Sequence, residues 1–320
     1  MIELKRYERN PILKPLKDHN WENVSVFNPA VLQIEGKIYL IYRALSTTFE
    51  SSLGLAISSD GYTIEERLES PCYFPRMAYE TKVKPTRKYT GCEDPRATII
   101  GDRIYMCYTA VGQRERNVRI ALTSISIKDF LERNWQAWEK PRLISPPGFW
   151  DKNGLVLEER INGKYCFFHR PMFKKMCIWV DFVESLGLEK EGYIMGWDYI
   201  HPRPDKWDKD WVGTCGPPIK VSEGWVMIYH GHGNGMYMLG AMLLAKENPA
   251  HVISRLDYPI LRPEKDYEKY GLSNNVVYSC GNVVIDDTLF VYYGAADTTI
   301  AVATCDLNEL ISELLKYADC

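Results

Sequence analysis

The alternation of apolar and polar positions along the chain follows one pattern that recurs five times. Each repeat has a polar or glycine-containing start, an apolar strand, a tight turn, an aromatic-rich second strand and a third strand. The turns contain glycine, asparagine or aspartate, which accept the positive φ that tight hairpins require. The second strands read IYLIYR, IYMCYT, YCFFHR, WVMIYH and LFVYYG, and they end at Arg43, Thr109, Arg170, His230 and Gly294.

These repeats are spaced by roughly 60 to 66 residues of strand-like sequence, which is typical of the four-stranded blades of a β-propeller. A solenoid is the alternative, but solenoid repeats usually run about 20 to 45 residues. The sequence therefore predicts an all-β, five-bladed β-propeller. We expect a single domain at 1–320, with blades at about 26–64, 93–130, 151–186, 216–249 and 275–305 and a C-terminal helix at 306–317 capped by Asp306.

Composition narrows the function without assigning one. The 320 residues, 46% of them hydrophobic, can bury a full core, and the net charge of −3 gives no global field that attracts nucleic acid. The first residues lack the apolar segment of a signal peptide, and no stretch approaches the ~20 apolar residues of a membrane span. We therefore expect a cytoplasmic protein that binds neither nucleic acid nor membranes.

The sequence gives no sign of a metal or an organic cofactor. The nine cysteines are odd in number and scattered, without a C-x-x-C pair, which favours reduced thiols over zinc ligands. Glycine-rich phosphate loops, G-x-S-x-G, H-E-x-x-H and dinucleotide fingerprints are all missing from the sequence. The H-G-H-G segment at 230–233 is a weak metal signal without further ligands nearby.

Equivalent ends of the repeats should converge on the central channel of a propeller, although they lie far apart in sequence. Counting fifteen residues back from Arg43 gives Asn28, and the same count from Thr109 gives Asp94. Asp94 lies in G-C-E-D-P-R, where it is either a functional acid or a simple turn residue paired with an arginine. If Asp94 faces the channel, strand alternation should aim Glu93 away from it.

A set of basic residues also lies at the repeat ends. Each one alone is more often solvated or paired than functional, but several cations at one channel need an anionic ligand, and phosphate suits them. Asp297, in Y-G-A-A-D-T, is either a second acid of the site or a turn residue, and tyrosines in the second strands could stack on sugars or pack in the core. The basic residues are Arg43, Arg96, Lys152, His169 or Arg170, and His230.

Seven motifs give the chain a resemblance to glycoside hydrolase family 130, the mannoside phosphorylases and related β-mannosidases, which are five-bladed propellers. They extend over nearly the whole chain and are specific in combination. These motifs are R-N-P-I-L at 9–13, F-N-P-A at 27–30, Y-R-A at 42–44, E-D-P-R at 93–96, I-N-G-K-Y with H-R-P at 161–171, E-G-W with Y-H-G at 223–231, and Y-Y-G-A-A-D-T at 292–298.

The resemblance implies roles for particular residues. Asp94 would be the catalytic acid, protonating the leaving glycosidic oxygen directly or through a mannosyl hydroxyl, while inorganic phosphate attacks the opposite face and gives α-mannose 1-phosphate. Phosphate would be a co-substrate, and no cofactor is implied. The resemblance places phosphate at Lys152, Arg170, His230 and His169, and the β-mannoside oligosaccharide at Asn28, Arg43, Arg96, Asp297 and Tyr108, with Arg96 alternatively supporting Asp94.

Two other functions remain open from the sequence. An inverting β-mannosidase would need a second carboxylate about 6.5–9.5 Å from the first to activate water, and the presence of Lys152, Arg170 and His230 favours phosphate instead. A non-catalytic glycan-binding propeller would use Asp94 only as a turn. Residues 172–211 match the family less well, so the linkage, β-1,2 or β-1,4, and the acceptor sugar stay open, as does a homo-oligomeric state.

Overall fold

A computed structural model describes residues 1–82, 89–112, 118–173, 176–187, 192–196 and 198–318. Nearly all regular structure in these residues is β-strand, which confirms the predicted all-β class. The described strands form five groups, each antiparallel within itself, and a short parallel pairing of Glu50 and Ser51 with Thr90 and Gly91 joins the first two groups into one sheet.

The groups follow one another along the chain, except that the N-terminal strand β1 (Lys5–Arg6) pairs with the last strand of the fifth group. The first group contains β2 (Ser25–Ile34), β3 (Lys37–Leu45), β4 (Glu50–Ser58) and β5 (Glu66–Arg67); the second contains β6 (Thr90–Ile100), β7 (Arg103–Val111), β8 (Val118–Ser126) and β9 (Arg142–Leu143). The third contains β10 (Asp151–Ile161), β11 (Lys164–Pro171), β12 (Ile178–Val183) and β13 (Asp198–Ile200). The fourth contains β14 (Trp211–Thr214), β15 (Ile219–Val221), β16 (Gly224–Gly233), β17 (Met236–Leu244) and β18 (Val252–Arg255), and the fifth contains β19 (Val277–Ile285), β20 (Thr288–Ala295) and β21 (Thr299–Asp306).

Among the described residues, three short α-helices lie between or after the strands: α1 (Ile127–Leu131), α2 (Asp266–Lys269) and α3 (Leu307–Leu315). One short 3₁₀ helix lies at Trp135–Ala137. The C-terminal helix α3 is the one predicted from the sequence, and the Asp306 side chain accepts a hydrogen bond from the backbone N–H of Glu309 at its start. Leu310 and Leu314 on one face of α3 are buried against the fifth and fourth groups.

Apolar clusters fill the space between each group and the next. The cluster between the first two groups contains Ile41 and Tyr108, and the cluster between the fifth and first groups contains Tyr292 and Leu40. Three more clusters join the second to the third, the third to the fourth and the fourth to the fifth group. The packing therefore runs from group to group and returns to the first, as the propeller prediction requires; a closed ring of five blades stays a prediction.

Each of the first three groups has a register shift near the start of its first strand, and a residue with positive φ lies within that shift. The shifts fall between Phe27 and Ala30, Glu93 and Arg96, and Lys152 and Leu155. The residues concerned are Asn28 (φ 50°), Asp94 (φ 50°) and Asn153 (φ 61°). Asparagine and aspartate tolerate this left-handed conformation better than other residues with a side chain.

Some boundaries differ from those predicted. The fourth group begins at β14 (Trp211–Thr214), before the predicted start at 216. Pro217 and Pro218 divide the segment that pairs with β16 into two strands, β14 and β15. In the third group a second shift between Val156 and Arg160 lengthens the hairpin, so a count of fifteen back from Arg170 does not reach Asn153.

Candidate active site

A cavity of about 180 Å³ lies where the five groups meet, and its walls contain residues from all of them. Asn28 and Arg43 come from the first group, Asp94 from the second, and Lys152 and Arg170 from the third. The fourth and fifth groups, with the loop and turn beside the fifth, contribute Tyr237, Ser273, Val276, Tyr278 and Asp297. The convergence predicted from the repeat ends is therefore observed for Asn28, Arg43, Asp94, Lys152, Arg170 and Asp297.

A larger and more open groove of about 640 Å³ lies outside, between the fourth group and the chain after α3. Its arginines, Arg203 and Arg255, are already paired with the buried carboxylate of Asp208. We place the candidate site in the smaller cavity, because the acidic and basic side chains converge there.

Asp94 is the buried acid at the centre of the cavity. Its Oδ1 accepts hydrogen bonds from Asn28 Nδ2 at 2.9 Å and from Arg43 Nη1 at 3.2 Å. Burial opposes ionisation of this carboxyl, but the charges of Arg43 and Lys152 and the bond from Asn28 outweigh it and lower the pKa of Asp94. In this environment Asp94 is a carboxylate at neutral pH.

Glu93 also lies at the site, contrary to the expectation from strand alternation. Its Oε1 accepts a bond from Arg43 Nη2 at 2.7 Å, and Lys152 Nζ lies 3.4 Å from its Oε2. The register shift at Asp94 breaks the alternation, because the extra residue lets two consecutive side chains contact the same arginine. The prediction that Glu93 points away was therefore wrong.

Arg96 supports the site instead of contacting a ligand. Its Nε donates to the carbonyl of Cys215 at 2.8 Å and its Nη1 to the carbonyl of Asp94 at 3.0 Å. Its Nη2 donates to the carbonyl of Thr214 and to the hydroxyl of Tyr278. Arg96 is buried and joins the second, fourth and fifth groups, so of its two predicted roles the structure favours support of Asp94 over substrate binding.

Two of the predicted phosphate ligands, Lys152 and Arg170, line the cavity as cations. The Lys152 side chain is 26% exposed, and Arg170 is buried with an Nε that has no partner among the described residues. Buried donors of this kind are usually satisfied by a ligand or by water. These two side chains can receive an anion.

His230 contacts the cavity through Arg170 and is not a cation. Arg170 Nη1 lies 3.2 Å from His230 Nε2, and since a guanidinium only donates, this nitrogen must accept. Burial, followed by the charges of Arg170 and Arg96, holds the pKa of His230 well below its usual value. His230 therefore orients Arg170 as a neutral imidazole, which corrects its expected place among the basic groups.

His169 and Tyr108 are not brought to the cavity. His169 points to the opposite face of β11 from Arg170, where its Nδ1 lies 2.7 Å from Asp151 Oδ2. Tyr108 is buried in the core, where its hydroxyl bonds to Tyr73 and Glu80. The predicted ligand role of His169 and the predicted substrate contact of Tyr108 are not supported, because strand alternation directs both side chains elsewhere.

Asp297 is both a turn residue and a cavity residue. It has a φ of 52° in the turn between β20 and β21, and its side chain lines the cavity. Burial raises the pKa of Asp297; a bond from Ser273 opposes this, and the nearby Asp94 adds to it. The two acids of the cavity therefore have pKa values shifted in opposite directions.

Several cavity residues were missed from the sequence. Tyr278 could have been found, since it pairs with Gly294, the end of the fifth repeat. Asn153 does not line the cavity, but its Nδ2 donates to the hydroxyl of Tyr278, and the sequence did not single it out. Tyr237, Ser273 and Val276 come from positions outside the repeat ends and carried no signal.

Comparison with known proteins gives matches over nearly the whole chain. The model of glycoside hydrolase family 130, described as β-1,4-mannooligosaccharide phosphorylase, matches residues 3–316. The chain is 38% identical to a 1,2-β-oligomannan phosphorylase and 37% identical to a β-1,2-mannobiose phosphorylase, both from Thermoanaerobacter sp. (strain X514), over 97% of this chain and 99% of each relative. A solved structure of the β-1,2-mannobiose phosphorylase from Listeria innocua with β-1,2-mannobiose has a TM-score of 0.82 and 28% identity, covering 98% of this chain and 100% of that one.

Proposed function

Because the chain belongs to glycoside hydrolase family 130, we propose that it is an inverting β-mannoside phosphorylase, which cleaves a β-linked manno-oligosaccharide with inorganic phosphate and releases α-mannose 1-phosphate. The observation that carries the proposal is a single cavity that joins the acid Asp94 to the cations Lys152 and Arg170. Phosphate is already nucleophilic, so it needs positioning and charge neutralisation and no general base.

The mannosyl unit is assigned to the side of the cavity that holds Asn28, Arg43, Asp94 and Asp297. Asn28 and Arg43 both donate to Asp94, which fixes the carboxylate while leaving its second oxygen for a sugar hydroxyl or the glycosidic oxygen. Phosphate is assigned to Lys152 and Arg170, with His230 holding Arg170 in place.

In the reaction, a phosphate oxygen forms a bond to the anomeric carbon while the bond from that carbon to the acceptor oxygen breaks. The proton of Asp94 passes to the acceptor oxygen, so the acceptor leaves as an alcohol. Attack from the face opposite the leaving group converts the β-mannoside to the α-phosphate. The same steps in reverse synthesise the mannoside.

Proton uptake by Asp94 is coupled to phosphate binding in this account. The cations that lower the pKa of Asp94 include Lys152, which is also assigned to phosphate. A phosphate dianion at Lys152 and Arg170 would offset their charge and raise the pKa of Asp94 towards the range where it carries a proton. Phosphate then supplies the nucleophile and favours the acid form together.

The two other functions fit the cavity less well. A water-using β-mannosidase has no need for Lys152 and the oriented Arg170, and Glu93, the carboxylate next to Asp94, is engaged by two cations. A non-catalytic glycan-binding protein does not explain a buried acid with cations from three groups.

The names of the two Thermoanaerobacter relatives favour a β-1,2 linkage. The cytoplasmic location stays a prediction.

The proposal is tested by incubating the purified protein with β-1,2- and β-1,4-linked mannobiose, each with and without inorganic phosphate. We expect mannose 1-phosphate only when phosphate is present, and faster from the β-1,2 substrate. Mannose 1-phosphate from the β-1,4 substrate alone would overturn the linkage, and free mannose at the same rate without phosphate would overturn phosphorolysis in favour of the hydrolase.

A further inference from the structure

Glu93 is a buried carboxylate that the reaction as described above does not use. It is 4% exposed, and each of its oxygens contacts a cation from a different strand group. Arg43 Nη2, from β3, donates to Oε1 at 2.7 Å, and Lys152 Nζ, from β10, lies 3.4 Å from Oε2. Glu93 therefore joins two of the cations that line the cavity.

Arg43 links Glu93 directly to the acid. Its Nη1 donates to Asp94 and its Nη2 donates to Glu93, so one guanidinium serves two adjacent carboxylates. The third nitrogen, Nε, donates to Ser51, which fixes the plane of the group. The charge that Arg43 presents to Asp94 is therefore shared with Glu93.

The charge around Asp94 would be strongly positive without Glu93. Several charged and titratable groups lie in or next to the cavity around Asp94. They are the cations Arg43 (β3), Arg96 (β6), Lys152 (β10) and Arg170 (β11), the acids Glu93 (β6) and Asp297 (β20–β21 turn), and the neutral Tyr278 and Cys280 (β19) and His230 (β16). Removing the negative charge of Glu93 would favour the ionised form of Asp94 and would also favour any bound anion.

The contact with Lys152 is suited to partial restraint. An ammonium group has three donors, and a separation of 3.4 Å uses one of them weakly. The flexible lysine stem is therefore held near the cavity while two donors stay available for phosphate oxygens.

We propose that Glu93 is a positioning residue that acts as a counter-charge: it restrains Arg43 and Lys152 and cancels enough of their charge for Asp94 to take up a proton and for phosphate to exchange. This inference rests on the proposed function and extends it to the balance between acid strength and phosphate affinity. Glu93 contacts neither substrate directly in this scheme.

The test compares the wild type with Glu93→Gln, which keeps the shape and removes the charge. Calorimetry with inorganic phosphate should show a dissociation constant lowered by roughly three- to tenfold, because the repulsive carboxylate is gone. The high-pH limb of kcat/KM for phosphorolysis should move to lower pH by about half to one unit, because Asp94 loses its proton more readily.

Glu22→Gln is the matched control. Glu22 is also a buried glutamate, bonded to His19, Tyr42 and Arg67, away from the cavity. We expect this variant to melt at a lower temperature while its phosphate dissociation constant and pH limb stay at wild-type values. A destabilised protein alone therefore does not reproduce the predicted signature.

The double variant Glu93→Gln/Lys152→Met removes one charge of each sign and leaves no unpaired buried charge, so it also covers the case in which Glu93→Gln does not fold. The high-pH limb of kcat/KM should return towards the wild-type position in the double variant, whereas in Lys152→Met alone this limb should move to higher pH. The proposal would be overturned if the high-pH limb of kcat/KM in Glu93→Gln stayed at the wild-type pH. It would also be overturned if Lys152→Met and the double variant had their high-pH limbs at the same pH. If the wild type forms no mannose 1-phosphate, the proposed function fails, and the phosphate calorimetry still tests the counter-charge.

Discussion

At the scale of single residues, the two carboxyl groups that line the cavity have different surroundings, which shift their pKa values in opposite directions. Asp94 is held ionised by Arg43, Lys152 and Asn28, whereas burial raises the pKa of Asp297. A raised pKa alone would nominate Asp297 as the acid. The motif E-D-P-R and the direct bonds of Asn28 and Arg43 to Asp94 favour Asp94, and substitution of each acid separates the two assignments.

Asp94→Asn should lower kcat by about 10²- to 10⁴-fold, because the general acid is lost while the hydrogen-bonding shape remains. Asp297→Asn is the matched comparison and should mainly raise KM for the mannoside. Steady-state kinetics with circular dichroism of both variants checks this. Full activity in Asp94→Asn, or a larger loss of kcat in Asp297→Asn, would remove Asp94 from the role of acid.

The neutral His230 has a consequence for stability. Its folded pKa is lowered by burial and by Arg170, so below pH about 6.5 the unfolded chain binds a proton that the folded protein does not. The stability linked to His230 is thus fully present above that pH and is lost as the pH falls towards the folded pKa. His230→Gln should flatten the dependence of the unfolding free energy on pH there by up to about 1.4 kcal/mol per unit.

Urea unfolding at several pH values between 7.5 and 5 measures this slope. His251→Gln, an exposed histidine outside the cavity, is the control and should leave the slope unchanged. An unchanged slope in His230→Gln would mean that His230 binds its proton in the folded protein as readily as in the unfolded chain.

At the scale of elements, the C-terminal helix is the clearest case of a local signal. The side chain of Asp306 accepts the N–H of Glu309, and the apolar face of α3 packs on the fifth and fourth groups. Asp306→Ala should lower the unfolding free energy by about 1 kcal/mol, because this helix N–H loses its acceptor. Asp306→Asn keeps an acceptor and should be nearly neutral; equal losses in urea unfolding would show that the cap does not stabilise α3.

The strands themselves were predictable, and the register shifts within them were not. Apolar alternation and turn residues identify the hairpins, because both signals are local in sequence. A shift depends on which backbone groups pair across strands, and it reverses the facing of the side chains beyond it. Asn28 and Asp94 were found because counting along the repeats does not depend on the register. Glu93 was placed on the wrong side and Asn153 was not singled out, because both positions depend on a register shift.

At the scale of the whole molecule, five strand groups bring side chains from distant parts of the chain into one cavity. The repeat pattern predicts this convergence, so Arg43, Lys152, Arg170 and Asp297 could be expected together. The repeat pattern does not specify loops. Ser273 reaches the cavity from outside the predicted blades, and Val276 reaches it from the residue just before β19. Among the described residues, no helix is long and apolar enough to cross a membrane, and no group of three histidine, cysteine, aspartate or glutamate side chains is placed to hold a metal ion.

The central claim is that phosphate, and not water, attacks the anomeric carbon with inversion. Proton and phosphorus NMR of β-1,2-mannobiose with the protein and inorganic phosphate in ¹⁸O-labelled water tests it most directly. The account predicts early appearance of α-mannose 1-phosphate, with no ¹⁸O at the anomeric position. Free mannose from both sugar units as the first product, without mannose 1-phosphate and at a rate independent of phosphate, would contradict it.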